Sequence, residues 1–392
     1  MPTDSDDVIR GLLNGGAINA LGGNDHIHWG ERDGSATLYA GDLNESYDPN
    51  PYNTGNPGGD RLYLSGTVGA NIRFGTTENG TVLMGDQALN FFGVERLHGT
   101  EGNDTISAST ALMNPYHGNT PEHGISIYAG AGADLITGSK ADDVLDGGMG
   151  HDTIFAGDGH DFIQSSTGND RIYGGGGNEN IRWGLGDDVA PGNDTIYGGN
   201  TQEDNGDLIN IWSVDGGQED GRGAQVTFIN ARGGFATSTM GDVTSKLIFR
   251  GFENGWTHQG QDTVTAANAI IEADGRGIRF NTRWGDDVIV GSQGNDTLEG
   301  GEGRDTITGG RGDDLISANG EYYNSQTPGD GDADTLIFHR GDGHDTVLGF
   351  DVGVDVLQLD GRWYSAQETH NGTLLDLGNG DTVLLSNVFD FI

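Results

Sequence analysis

Aspartate residues recur every nine positions in two blocks of the sequence, and in each block an aliphatic residue follows two positions later, as Ile154 follows Asp152. Carboxylates stacked at a regular short spacing repel one another unless a cation neutralises them. A hard divalent cation accepts carboxylate and main-chain carbonyl oxygens. The aspartates are therefore candidate metal ligands. They are Asp134, Asp143, Asp152, Asp161, Asp170 and Asp188 in the first block, and Asp287, Asp296, Asp305 and Asp314 in the second.

The elements that must position these carboxylates can be read from the same nine residues. Seven units run from 129 to 191 and four from 282 to 317, and most fit G-G-x-G-x-D-x-U-x, where U is a large aliphatic residue. The glycines permit tight turns, and x-U-x forms a short strand with its middle side chain on one face. Stacked strands then bury a column of aliphatic side chains, namely Ile136, Leu145, Ile154, Ile163, Ile172 and Ile181, with Ile289, Leu298, Ile307 and Ile316 in the second block.

Two nine-residue units are expected to make one coil, with adjacent strands about 4.8 Å apart. Aspartates of alternate units then stack along opposite edges. The first stack ends near Glu179, which replaces an aspartate, and Ala190, which replaces the aliphatic residue. One predicted edge carries Asp134, Asp152, Asp170 and Asp188, and the other carries Asp143 and Asp161.

This pattern resembles the haemolysin-type calcium-binding repeat of RTX (repeats-in-toxin) proteins. The resemblance implies an all-β fold, a right-handed parallel β-roll or β-helix solenoid, with several Ca²⁺ ions between successive turns. A flexible acidic loop is disfavoured, because disorder gives no reason for an aliphatic residue after every aspartate. Echoes of the motif outside the two blocks add Asp104, Asp262 and Asp345 as candidate ligands.

A second repetition predicts two homologous halves. The tripeptide M-G-D occurs at 84–86 and again at 240–242. Glu95 corresponds to Glu253, and Asp104 corresponds to Asp262. Edge loops rich in Asn, Pro, Gly and Tyr interrupt the strands. The predicted organisation is an N-terminal cap with a degenerate repeat at 1–60, a first solenoid half at 61–206, a second half at 207–340, and a C-terminal cap with a type I secretion signal at 341–392.

Composition limits the partners. Sixty acidic residues against 19 basic ones give a net charge of −41, so neither nucleic acid nor an anionic membrane is expected to bind by electrostatics, and no membrane insertion is expected. The chain has no cysteine, which excludes disulfides and Cys-based zinc sites.

An extracellular or cell-surface location is predicted, reached through a type I exporter without an N-terminal signal peptide. The resemblance places the export signal at the end of the chain, with Asp390, Phe391 and Ile392.

Motifs for enzyme chemistry are lacking: neither H-E-x-x-H nor G-x-S-x-G occurs. Aromatic and basic residues nevertheless cluster beside strands. They could contact sugars on a flat face, or fill the interior of wide coils and pair with nearby aspartates. The possible glycan contacts are Trp29, Trp183, Arg182, Trp284 and Arg283. Among the histidines, His26 and His28 could bind a transition metal or be exposed by chance. His151, His160 and His344 are expected to be solvated turn residues.

Two functions remain. The first is a secreted Ca²⁺-binding β-solenoid with a structural, cell-surface or adhesive role, which folds on Ca²⁺ binding after export. Its partners could be a surface polysaccharide or further copies of itself. This reading expects no catalytic activity. The alternative is a Ca²⁺-dependent lyase or epimerase of acidic glycans. Arg, Lys or His clustered on one groove would favour the enzyme, and a continuous acidic surface would favour the structural role.

Overall fold

The computed structural model describes residues 6–11, 16–20, 22–40, 59–112, 123–184, 190–199, 206–212, 223–319, 330–389 and 391. Within these ranges the regular elements are strands joined by turns, without a helix. No helix long and apolar enough to cross a membrane is found in this part of the chain. The chain divides into two compact units. Unit 1 comprises Met1–Trp183 and Pro191–Asp207, and unit 2 comprises Gly184–Ala190 and Leu208–Ile392.

Unit 1 consists of short strands, most of them three to six residues long. They are β1 (Val8–Arg10), β2 (Ala17–Asn19), β3 (His26–Gly30), β4 (Ala36–Tyr39), β5 (Arg61–Ser65), β6 (Asn71–Phe74), β7 (Gly80–Met84), β8 (Gln87–Phe92), β9 (Arg96–His98), β10 (Thr105–Ser107), β11 (His123–Tyr128), β12 (Ala131–Gly132), β13 (Leu135–Thr137), β14 (Asp142–Asp146), β15 (Met149–Gly150), β16 (Thr153–Asp158), β17 (Phe162–Gln164), β18 (Thr167–Gly168), β19 (Arg171–Gly176), β20 (Asn180–Trp183) and β21 (Asn193–Gly199).

Unit 2 has the same kind of strand and adds longer hairpins. Its strands are β22 (Leu208–Ile211), β23 (Gln225–Asn230), β24 (Gly233–Met240), β25 (Val243–Arg250), β26 (Asn254–Thr257), β27 (Thr263–Thr265), β28 (Arg276–Asn281), β29 (Val288–Val290), β30 (Asn295–Glu299), β31 (Thr306–Thr308), β32 (Leu315–Ser317), β33 (Thr335–Ile337), β34 (His344–Leu348), β35 (Val356–Gln358), β36 (Ser365–Thr369), β37 (Gly372–Gly378) and β38 (Asp381–Ser386).

The nine-residue units of unit 1 form two parallel sheets, as expected for a β-roll. Strands β13, β16, β19 and β21 pair in parallel in one sheet, and β11, β14, β17 and β20 pair in parallel in the other. Alternate units therefore stack on each other, so one coil contains two units. The core is two aliphatic columns rather than the single column expected from the sequence. One is Ile136, Ile154, Ile172 and Ile196, and the other is Ile127, Leu145, Ile163 and Ile181, all fully buried.

Glycine makes the turns between strands possible. Gly150 has φ 144° and Gly168 has φ 139°, a region that side chains rarely adopt. A Cβ at Gly150 would also overlap the carbonyl oxygen of Gly132 in the preceding coil. The turns thus stack at main-chain contact distance, which is why the repeat retains glycine at these positions.

Each unit also contains an antiparallel three-stranded segment. In unit 1, β6 pairs with β7 and β7 with β8; in unit 2, β23 pairs with β24 and β24 with β25. The hairpin turns use the repeated M-G-D sequence, with Gly85 at φ 57° and Gly241 at φ 54°. The homology of two halves, and the four-segment organisation, stay predictions.

Unit 2 contains a second antiparallel meander near its end. β36 pairs with β37 and β37 with β38, and β38 pairs in parallel with β34 of the stack. The ring of Phe391 lies 5.9 Å from that of Phe350, edge to face. Asp390 and Ile392 of the predicted secretion signal lie outside the described residues.

Candidate metal centre

The aspartates of alternate units form a hydrogen-bonded ladder along one edge of unit 1. The main-chain N–H of each aspartate donates to Oδ1 of the aspartate one coil later: Asp134 to Asp152 and Asp152 to Asp170, both at 2.8 Å and 18 residues apart. Asp104 extends the ladder upstream, donating to Asp134 at 2.6 Å. Each carboxylate therefore joins two coils before any cation is considered.

This ladder continues where the sequence predicted an end. The N–H of Asp170 donates to Asp194, 24 residues away, at 2.7 Å. Asp188, the expected partner, lies outside the described residues. The physical reason is a six-residue shift of register: Gly192-Asn193-Asp194-Thr195-Ile196 repeats the G-x-D-x-U pattern one step later, and Ile196 supplies the buried aliphatic side chain.

Three further ladders follow the same rule. Along the other edge of unit 1, Ile125 donates to Asp143 at 2.7 Å and Asp143 donates to Asp161 at 2.8 Å. Glu179 does not end this stack, because it is buried and its N–H donates to Asp207 at 2.9 Å. In unit 2 the ladders run Asp262, Asp287, Asp305, Asp334, and Asp296, Asp314, Asp345.

In several of these residues the second carboxylate oxygen has no hydrogen-bond partner, whereas in Asp104, Asp143 and Asp296 it accepts the main-chain N–H of the residue four positions earlier. Oδ2 is buried and unpaired in Asp134, Asp152, Asp161, Asp170, Asp305 and Asp314. In three of the six a glycine opens the turn beside this oxygen: a Cβ at Gly147, Gly300 or Gly309 would lie 2.1–2.5 Å from Oδ2 of Asp152, Asp305 or Asp314. Burying an unpaired carboxylate oxygen is costly, so a positive charge beside these oxygens would stabilise the fold.

Burial raises the pKa of the ladder carboxyls towards neutrality. The pKa of Asp170 is raised to about 8, first by burial and then by the charge of Asp194. That of Asp305 is raised to about 8 by burial and then by Asp287, and that of Asp134 to about 7, mainly by burial. Without a cation, many of these groups would be protonated at neutral pH. A bound divalent cation would keep them ionised and remove their repulsion.

The donor set fits a hard cation that takes oxygen ligands. Within the described ranges, no point brings together three or more His, Cys, Asp or Glu side chains. A cation between coils would therefore combine one or two carboxylates with main-chain carbonyl oxygens. That donor chemistry suits Ca²⁺, which binds six to eight oxygens in flexible geometry, better than Zn²⁺, which takes four N or S ligands.

Comparison with known families decides the nature of the repeats. The family described as "RTX calcium-binding nonapeptide repeat (4 copies)" matches residues 91–110, 126–154, 155–190, 191–201 and 282–316.

The chain carries RTX calcium-binding nonapeptide repeats.

RTX repeats bind Ca²⁺, and proteins that carry them are typically secreted from the cell by type I systems. A search of curated proteins finds no match. Among solved structures, the extracellular lipase LipA from Serratia marcescens matches with 16% identity over 74% of this chain, at a TM-score of 0.20. The match spans 43% of the lipase chain. At that TM-score the likeness supports no argument about activity.

The RTX turns contain a second ladder that the sequence did not predict. Residues just before the ladder aspartates accept an N–H from the following coil, opposite in direction to the aspartates. Asp142 accepts from His160 at 2.6 Å, and His160 Nδ1 accepts from Asn178 at 2.8 Å. His151 Nδ1 likewise accepts from Asn169 at 2.9 Å. These histidines are exposed, yet they act as structural acceptors rather than merely solvated turn residues.

The N-terminal region has a ladder of its own, which the sequence showed only as a faint echo, G-G-N-D-H-I. Asp7 donates to Asp25 at 2.8 Å, Asp25 to Asp60 at 2.7 Å, and Asp60 to Glu95 at 2.5 Å. The steps between Asp25, Asp60 and Glu95 are 35 residues. Long insertions hid the periodicity, and Glu95 replaces the aspartate.

The predicted glycan contacts separate into buried and accessible residues. Trp29 and Trp183 are fully buried, so the prediction that they offer a surface to sugars is wrong. Each occupies an inward position of its strand, where the indole fills the coil. Trp284 is 38% exposed, and the Arg283 guanidinium lies 3.7 Å from the ring centroid of Trp256. Arg182 is half-buried, and its guanidinium lies 5.5 Å from the ring centroid of Phe162.

Proposed function

We propose that this protein is a secreted scaffold with a structural, cell-surface or adhesive role, whose β-roll folds when Ca²⁺ fills the aspartate ladders. The observation that supports the proposal is the unpaired, buried Oδ2 of successive ladder aspartates. A divalent cation would give these oxygens a ligand and neutralise the charge of the ionised carboxylates at the same time. Binding and folding are then one event, as in other metal-coupled domains.

The proposed ligands are the ladder carboxylates with neighbouring main-chain oxygens. They comprise the predicted Asp104, Asp134, Asp143, Asp152, Asp161, Asp170, Asp262, Asp287, Asp296, Asp305, Asp314 and Asp345, together with Asp194, Asp207 and Asp334 from the structure. Asp188 is retained as a prediction from the sequence alone.

The high negative charge makes folding depend on whether the chain is in the cytosol or outside the cell. With a net charge of −41 and a thin core, the metal-free chain is poorly able to offset the loss of conformational entropy. Ca²⁺ sites of extracellular modules have dissociation constants on the order of 10⁻⁴ to 10⁻³ M. The chain would therefore stay unfolded in a Ca²⁺-poor cytosol, pass a type I exporter, and fold outside. The segment 341–392 is the proposed location of the export signal.

Circular dichroism during a Ca²⁺ titration tests the proposal. A chelator-treated sample should lack the β signal, and Ca²⁺ in the millimolar range should restore it cooperatively, whereas Mg²⁺ at the same concentration should not. A compact β spectrum that is identical in excess chelator would rule out Ca²⁺-driven folding. For export, deletion of 341–392 beside a type I exporter should abolish secretion.

The enzyme alternative was tied to Arg, Lys or His side chains gathered on one face. No residue is assigned to catalysis.

A further inference from the structure

The outer side of one sheet in unit 1 carries a continuous stack of histidine and tyrosine rings. Parallel pairing of β3, β5, β9 and β11 places His28, Tyr63, His98 and Tyr128 in one column. In this order the ring centroids lie 4.8, 4.3 and 4.9 Å apart, with interplanar angles of 12–14°. We call these four residues the histidine–tyrosine stack. His98 is the member that has a tyrosine ring on each side.

The surroundings of His98 disfavour a positive charge on its ring. The residue is half-buried, and both faces of its imidazole are covered. The adjacent column places Arg61 of β5 beside Arg96 of β9 itself. Among the described residues, the charges that act on His98 are those of Arg61, Arg96, His26 and His28, and all four oppose its protonation. The column reaches an acidic side chain only beyond Tyr128, at Asp146 of β14.

The imidazoles of the stack are therefore neutral at pH 7. The pKa of His98 falls from its ordinary value of about 6.5 to about 4, first because of burial and then because of Arg61 and Arg96. The pKa of His28 is also lowered, by burial and then by Arg10 and His26. Tyrosine faces favour an imidazolium, but by less than about ten-fold in the protonation equilibrium. That gain is smaller than the loss, so taking up a proton at His98 weakens the folded state.

The direction of the pH effect follows from this comparison. Because the pKa of His98 is lower in the fold than in the unfolded chain, the stack contributes stability that is complete above about pH 6.5. This stability is lost as pH falls towards 4, where the folded protein also binds the proton. Raised pKa values give the ladder carboxyls the opposite dependence, so acid acts unfavourably on the stack for a reason of its own.

Two other parts of unit 1 show which feature is unusual. On the outer side of the opposite sheet, Phe155, Tyr173 and Tyr197 stack with centroids 4.8 and 5.0 Å apart. Stacking is thus a general consequence of parallel register, but none of these rings takes up a proton in weak acid. In the regular block, the column of the histidine–tyrosine stack continues with Asp146, Gln164 and Arg182. An imidazole enclosed by tyrosines and guanidinium groups distinguishes the coils of β5, β9 and β11.

We propose that the histidine–tyrosine stack is an acid-sensitive contact, in which protonation of His98 loosens the coils that contain β5, β9 and β11. Above pH 6.5 the neutral rings pack against one another and hold these coils together. In weak acid the imidazolium repels Arg61 and Arg96, and the strands separate at the stack. The device would let a secreted scaffold open one part of its β-roll when the medium becomes acidic.

The stack forms in the Ca²⁺-dependent fold, so the test rests on the proposed function and uses the full chain at saturating Ca²⁺. Hydrogen exchange with mass spectrometry, corrected for the intrinsic effect of pH, would compare pH 7.5 and pH 5. His98→Phe is the test variant, because it keeps an aromatic ring in the stack and cannot be protonated. His370→Phe, in the exposed turn between β36 and β37, is the matched control.

We expect the opening of β5 and β9 to increase more in the wild-type protein than in His98→Phe when pH falls from 7.5 to 5. The excess should be roughly ten- to thirty-fold, the effect at pH 5 of a histidine pKa lowered from 6.5 to between 4 and 5. His370→Phe should respond as the wild-type protein does. Both proteins share the same ladders, so any loss of Ca²⁺ in acid cancels. Equal acid responses of wild type and His98→Phe would overturn the proposal.

Should His98→Phe fail to fold, the wild-type protein provides a second measurement. NMR of the chain with isotope-labelled histidine, at saturating Ca²⁺, should show at least one imidazole that titrates below about pH 5.5. Titration of every histidine at or above about pH 6 would overturn the proposal, because His98 would then not resist protonation. Failure of Ca²⁺-driven folding appears separately, in the circular dichroism spectrum at pH 7.5.

Discussion

The regular block at 129–182 and the preceding segment at 22–112 use the same ladder bond but build different outer surfaces. In the block the ladder step is 18 residues, and in the segment it reaches 35 residues. Both bury a carboxylate at the start of a strand and an aliphatic side chain behind it. The segment adds the antiparallel strands β6–β8 and, on its outer side, the stacked rings of His28, Tyr63 and His98. The coil therefore tolerates insertions between its anchoring carboxylates while the core stays unchanged.

The difference separates two roles within one unit, that of the carboxylates that anchor the coils and that of the outward-pointing side chains. Anchoring requires aspartate or glutamate at a fixed place in each coil, because a main-chain N–H of the neighbouring coil donates to it. The outward positions carry no such requirement, so they can hold Asp146 and Gln164 in the block and Tyr63 and His98 in the segment. Variation there changes the chemistry of the outer surface without altering the stack.

Ca²⁺ removal should produce the largest effect and should act on both regions. Hydrogen exchange in excess chelator should show loss of protection throughout 123–182, because its ladders repeat at every coil and repel most strongly when ionised. The 59–112 segment should lose protection as well if the ladders act as one system. Retained protection in the segment alone would show that its 35-residue coils are stable without the metal.

A single ladder substitution should have the next largest effect. Asp152→Ala removes a proposed ligand and leaves the buried N–H of Asp134 without its acceptor, which costs about 1–3 kcal/mol. Ca²⁺ affinity and the denaturation midpoint should both fall. Asp86→Ala, in the exposed turn of the β7–β8 hairpin, is the control and should change stability by less than about 0.5 kcal/mol. Equal effects at both positions would mean that Ca²⁺ is held by total charge.

The pH dependence should differ with and without the metal. The pKa of Asp170 and that of Asp305 are about 8 in the fold, above the ordinary value of about 3.9 for an unfolded chain. In chelator, these carboxyls therefore contribute stability that is complete below about pH 4 and is lost as pH rises through 8. The metal-free protein should be more compact at pH 5 than at pH 9, by small-angle scattering.

Ca²⁺ reverses this trend, because it binds the ionised form. Where the metal-free protein is compact, as expected at acidic pH, its ladder carboxyls are protonated, so binding should release protons; calorimetry in buffers of different ionisation enthalpy should detect more release at pH 6 than at pH 9. A proton count that does not change with pH would contradict the raised pKa values of the ladder.

The smallest expected effect concerns the second ladder of the turns, in which each acceptor receives an N–H from the following coil. His151→Leu removes the acceptor for the N–H of Asn169 and should cost about 1 kcal/mol, whereas His151→Asn can keep an acceptor, as Asn169 does for Asn193 at 2.8 Å. Thermal denaturation with Ca²⁺ present measures the difference. Equal stability of the two variants would show that this exposed bond contributes nothing.

Much of the regular fold could be predicted from the sequence, because its physics is local and repeated. Nine-residue spacing determined the parallel β-roll, the buried position of Ile154 or Leu298, and the alternation of Asp134 and Asp143 between two edges. The carboxylate spacing also indicated a hard cation. These features follow from chain geometry within a few residues, and each repeat contains the same pattern.

Only the tertiary structure decided the features that depend on distant residues. The sequence could not show that Asp194 rather than Asp188 receives the N–H of Asp170, because a six-residue insertion moves the register. It left open whether Trp29 and Trp183 lie on a flat outer face or fill the coil, and the structure shows that both point inward and are fully buried. The ring stack on the outer side of unit 1 was equally hidden, since His28, Tyr63, His98 and Tyr128 are separated by 30 or more residues and meet only through parallel pairing. Composition and spacing determine which side chains can form a coil, but the lengths of the insertions determine which coils become neighbours.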